Sequence, residues 1–70
     1  MNIQVCKYTE LQQNIGKKLY LIHDDKNLYM GILTRVTTEN TKYNILNIKL
    51  KFADKREYVT NNTSAEYLVL

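Results

Sequence analysis

The sequence contains no proline and no tryptophan, one cysteine (Cys6), one phenylalanine (Phe52) and two glycines, Gly16 and Gly31. A lone cysteine excludes an intramolecular disulfide, so nothing implies an oxidising compartment. Two distant glycines exclude a glycine-rich phosphate loop. No apolar run approaches the roughly 18 residues of a membrane span. The N-terminus, MNIQVCKYTE, has neither the basic start nor the apolar stretch of a secretion signal. The expectation is a soluble, cytoplasmic protein with no membrane association. Overlapping glycosylation acceptors at Asn61-Asn62-Thr63-Ser64 are then chance matches.

What is present is small and mildly basic. Seventy residues make one domain spanning 1–70, near the lower limit at which a single apolar core holds a chain together. That size calls for a compact barrel or for self-association. Ten Lys and Arg against seven Asp and Glu permit a phosphate-backbone partner without demanding one. Frequent Asn, Lys, Tyr and Ile point to an AT-rich genome, bacterial or viral.

Along the chain, Met1, Ile3 and Val5 alternate with polar residues, giving residues 1–8 as an arm or an edge strand. Residues 9–15 carry helix punctuation: Thr9 as N-cap, Gln12 completing a capping box, and Leu11 and Ile15 on one face. Gly16 ends that helix. From Lys17 the period becomes two, with Leu19 and Leu21 facing opposite to Lys18 and Tyr20. His23 to Asn27 form a polar hairpin loop. The second strand places Leu28, Met30, Ile32 and Val36 inward, and Tyr29, Leu33 and Arg35 outward, with Gly31 allowing a bend or a close approach. Thr37–Lys42 is a turn. Tyr43–Phe52 is the longest strand, with Leu46, Ile48, Leu50 and Phe52 inward. Arg56–Thr60 and Glu66–Leu70 complete five strands, which at this length imply a bent antiparallel barrel.

The order Leu11–Ile15, Gly16, Lys18–Ile22, then Tyr29-Met30-Gly31-Ile32-Leu33 resembles the Sm-like family, a variant of the SH3-like barrel. In that family a short helix ends in a glycine, and a polar hairpin leads to aromatic-x-Gly-x-Leu. The resemblance implies an all-β, five-stranded antiparallel barrel with a short N-terminal helix, RNA binding, and ring assembly by strand addition. The family's RNA motifs are not matched. Tyr43-Asn44 falls about three residues later than the loop pattern wants, and Thr60-Asn61-Asn62 replaces Arg-Gly. The fold alone therefore does not choose a function.

His23 with Asp24 and Asp25 reads as a solvated loop, since adjacent turn residues diverge and no second ligand cluster accompanies them. Cys6 and His23 lack an orienting third group for nucleophilic catalysis. No enzyme activity and no cofactor are implied. The outward residues Tyr29, Arg35, Tyr43, Asn47, Lys49 and Lys51 interleave aromatics with cations, as single-stranded nucleic-acid surfaces do. The leading expectation is a non-enzymatic regulator that binds RNA or single-stranded nucleic acid. The competing expectation is a regulator or inhibitor, virus-encoded, acting on a host protein. Glu66–Leu70, as an apolar terminal strand, offers an edge for homo-oligomer formation.

Overall fold

The structure, a computed structural model, describes residues 3–70. Its strands are β1 (Gln4–Cys6), β2 (Lys18–His23), β3 (Lys26–Asn40), β4 (Leu46–Phe52), β5 (Glu57–Thr60) and β6 (Glu66–Val69). A 3-10 helix, Tyr8–Asn14, lies between β1 and β2. The strands form one antiparallel sheet in the order β1-β6-β2-β3-β4-β5. The all-β expectation with a short N-terminal helix holds. The sheet has six strands instead of five, because residues 4–6 form an edge strand against Tyr67–Val69; Met1 of the expected alternation lies outside the described residues. The sheet stays open, with β1 and β5 as its edges.

The terminal strand corrects another expectation. β6 pairs with β1 on one side and with β2 on the other. Residues 67–69 are paired on both sides within the chain, so the strand does not offer the free edge expected of Glu66–Leu70.

The helix also differs from the capping-box reading. Lys7 occupies the N-cap without a side-chain hydrogen bond, and Ile15 is already extended and 40% exposed. A 3-10 helix repeats every three residues, so i and i+3 share a face. Leu11 and Asn14 are accordingly the buried pair. Asn14 is satisfied there: its Nδ2 donates to the Glu10 carbonyl (3.0 Å) and its Oδ1 accepts from Lys17 Nζ (3.2 Å). Gly16, at φ +94°, then turns the chain so that its N–H donates to the Leu33 carbonyl at 2.7 Å.

β2 and β3 are joined by only two residues. Asp24 and Asp25 both have positive φ between paired His23 and Lys26, the type I′ geometry that matches strand twist. The ladder then slips twice. Tyr20 faces Tyr29 while Leu19 faces Gly31, so Met30 is an extra residue. Leu33 faces Phe52 while Arg35 faces Lys51, so Thr34 is another. Each slip exchanges the two faces. Leu33 is therefore fully buried and Ile32 is 39% exposed, the reverse of unbroken alternation. The second slip restores Val36 to the inner side, opposite Leu50.

Residues 37–40 belong to β3 and not to a turn, as their β-branched threonines favour. The turn is 41–45. Asn44 takes φ +60°, and the Thr41 hydroxyl accepts from the N–H groups of Tyr43 (3.2 Å) and Ile45 (3.3 Å). β3 is thus shared, its first part pairing with β2 and its last part with β4.

The core gathers Cys6, Leu11, Leu19, Leu33, Ile48, Leu50, Phe52, Tyr67 and Val69. Burial, and next Glu10, push the Cys6 thiol up from its ordinary pKa, which suppresses the reactive thiolate. Native protein is expected to react with a thiol reagent at pH 8 on the order of 100-fold more slowly than denatured protein. Equal rates would mean that β1 does not stay docked.

Candidate nucleic-acid interface

Cross-strand partners share a face, so the register fixes which outward side chains meet. On the outer side of β3, β4 and β5, one row is Arg35, Lys51 and Glu57. The next is Thr37, Lys49 and Val59, followed by Glu39 beside Asn47. Two shallow grooves run across these rows. One, of about 200 Å³, is lined by Arg35, Thr37, Lys49, Lys51 and Glu57. The other, of about 460 Å³, is lined by Thr37, Thr38, Glu39, Asn47, Lys49 and Val59.

Three cations, Arg35, Lys49 and Lys51, share this face with two carboxylates, Glu39 and Glu57. Lys49 Nζ lies 3.9 Å from Glu57 Oε2. Among the described residues, neither Arg35 nor Lys51 has a carboxylate within 4.0 Å. Two cations directly opposite each other on a sheet destabilise it, by a few tenths of a kcal/mol up to about 1 kcal/mol. Lys49 adds a third cation two residues, about 6.7 Å, along β4.

Four of the six expected residues, Arg35, Asn47, Lys49 and Lys51, are therefore brought together. The two tyrosines are not. Tyr29 faces Tyr20 across the β2–β3 hairpin, with ring centroids 5.1 Å apart. Tyr43 stands 72% exposed at the tip of the β3–β4 turn, with Lys42 Nζ 5.1 Å from its ring centroid. Among the described residues, no aromatic lines the two grooves. Thr37, Glu57 and Val59, which do, were not singled out from the sequence. Alternation in Glu57–Thr60 carries the signal for Val59, but which neighbour it faces depends on register.

A separate feature opens where the sheet fails to close. Leu21, Leu28, Met30, Phe52 and Tyr58, with Tyr29, Arg56 and Glu57, line a gap of about 410 Å³ between the β2–β3 hairpin and β5. Arg56 is fixed at its rim. Nη2 donates to the Met30 carbonyl at 2.7 Å, and the guanidinium lies 6.0 Å from the Phe52 ring centroid. Asp54 pairs with Arg56 as well, and the Arg56 backbone N–H is the first cause holding the Asp54 carboxyl below its ordinary pKa.

His23 and Asp24 approach to 3.3 Å on an exposed turn. Among the described residues, no three His, Cys, Asp or Glu side chains come together to hold a metal. Nor is any helix among them long and apolar enough to cross a membrane. No family model matches the chain, and no curated protein or solved structure matches it.

Proposed function

We propose that this chain is a non-enzymatic binding module, an opened relative of the Sm-like barrel, that takes single-stranded nucleic acid across the outer face of β3, β4 and β5. The observation that carries the reading is the unpaired Arg35–Lys51 couple with Lys49 beside it. Their mutual repulsion is relieved by a polyanion, and phosphates supply one at regular intervals. Thr37 and Asn47 present hydroxyl and amide groups to sugars or base edges between the cations. The helix, Gly16, hairpin and Gly31 in succession support the family likeness.

Without a stacking aromatic in the grooves, affinity rests on charge and should depend steeply on salt. Three phosphate contacts on a single strand give a slope of log K against log salt of about −2. Fluorescence titration of labelled mixed-sequence RNA and single-stranded DNA, starting at low salt, measures it. The Lys49→Ala/Lys51→Ala double variant is expected to bind roughly tenfold more weakly or worse, with a slope near −0.7. Absence of binding at low salt, or an unchanged slope in the double variant, sinks the reading.

A further inference from the structure

β5 is an edge strand lying against an apolar gap, and its backbone is poised for pairing. The Phe52 N–H donates to the Arg56 carbonyl at 3.0 Å, which marks 52 and 56 as a hydrogen-bonded pair. Such pairs alternate along an antiparallel ladder. Leu50 with Tyr58, and Ile48 with Thr60, are then the next hydrogen-bonded pairs in the β4–β5 register. Glu57 and Val59, the residues between, turn their N–H and C=O groups away from β4 toward the open edge. That edge carries donors and acceptors at the spacing of a neighbouring strand.

The side chains specify what that strand would carry. A residue facing Tyr58 points to the inner side, into the gap lined by Leu21, Leu28, Met30 and Phe52. Its two chain neighbours point outward, one beside Glu57 and one beside Val59. Glu57 holds only a long contact to Lys49 (3.9 Å), and Val59 is 55% exposed. Charge and apolar complementarity thus ask for a large apolar residue with Lys or Arg on one side and a β-branched residue on the other.

We propose that β5 accepts an extended segment of a partner protein with this three-residue pattern as a seventh strand, its apolar side chain closing the gap. The site takes in the inner side and edge of β5 and meets the rim of the two outer grooves at Glu57 and Val59; the inference does not rest on the nucleic-acid reading. The apolar lining of the gap disfavours a phosphate chain, whereas strand addition fills it with a side chain.

The test pans a display library of random eight-residue segments against the full chain, remakes the selected segments as capped peptides, and follows their binding by amide chemical shifts. The expected result is enrichment of the pattern, with shifts centred on Glu57 and Val59. Val59→Pro, tolerated on an edge whose N–H faces outward, and Leu28→Ser, at a site 47% exposed, should each weaken binding at least tenfold. Circular dichroism verifies that both variants fold. No enriched pattern, binding indifferent to both variants, or protection of the β5 edge amides by RNA instead would overturn the proposal. So would concentration-dependent self-association abolished by Val59→Pro, which would make a second copy the occupant.

Discussion

Replacing Gly31 with alanine is expected to lower the melting temperature by roughly 10–20 °C. Two independent penalties meet at this position. Its φ is +137°, where L side chains are strained, and an added Cβ would stand 3.1 Å from Phe52 Cδ1 and 3.2 Å from Phe52 Cβ and Cγ. Phe52 Cβ is tied to the β4 backbone, so rotating the ring does not clear the clash. Strain and overpacking together come to about 2–4 kcal/mol. A core this small rarely supplies more than about 3–5 kcal/mol, so most of the stability is at stake. Gly16→Ala separates the two penalties. It shares a positive φ, +94°, but its added Cβ would meet nothing within 4 Å among the described residues, and about 1–2 kcal/mol should be lost there. A Gly31→Ala protein that unfolds in urea at the wild-type midpoint would refute this account of the β3–β4 contact.

Tyr67→Phe should act in the opposite direction. Tyr67 is fully buried on β6, and its hydroxyl has no hydrogen-bond partner among the described residues. An unsatisfied buried hydroxyl carries a penalty of about 1–3 kcal/mol, so its removal is expected to stabilise the chain by about 1 kcal/mol or more. The pH dependence supplies a second readout. Burial, then Tyr58 and Cys6, push the Tyr67 pKa up to about 12 from 10.0. Between those values the unfolded state has released the proton while the folded state retains it. The unfolded state therefore binds fewer protons, and stability falls as pH rises. Below about pH 10 this contribution is fully present. The phenylalanine variant lacks it, so the stability gap between variant and wild type should widen from pH 10 upward. Parallel stability curves across that range, or a destabilised variant, would show that the hydroxyl is engaged after all.

The period-two signal of β4 was legible without a structure because no irregularity interrupts it. Ile48, Leu50 and Phe52 face the core, while Asn47, Lys49 and Lys51 face out. β3 shows why the same reasoning fails elsewhere. Extra residues at Met30 and Thr34 each exchange the faces, and the second exchange cancels the first. Leu28 and Val36 were consequently placed correctly and Ile32 and Leu33 were not. Nothing local to Met30 or Thr34 announces a bulge; it is set by which residues of β2 and β4 arrive opposite.

The candidate site divides along the same line. Arg35, Asn47, Lys49 and Lys51 lie on continuous ladder and converge. Tyr29 is cut off from them by both bulges, and Tyr43 by the 41–45 turn. The pairing of Gln4–Cys6 with β6 was equally out of reach, because a three-residue strand carries too little pattern to name its partner. That pairing decides which edges remain open.

The place of β6 also bears on the order in which the protein can be assembled. Of the six strands described, the one inserted between β1 and β2 is made after the other five, and β1 has no other neighbour among them. During synthesis, the hairpins β2–β3, β3–β4 and β4–β5 can form as they emerge, because each joins neighbouring stretches of chain. The first strand and the second edge of β2 must wait until residues 66–69 exist. Such long-range closure is slow compared with hairpin formation, and exposed apolar edges invite misassembly in the meantime. For this sheet, folding is less a progression along the chain than a suspension resolved by β6.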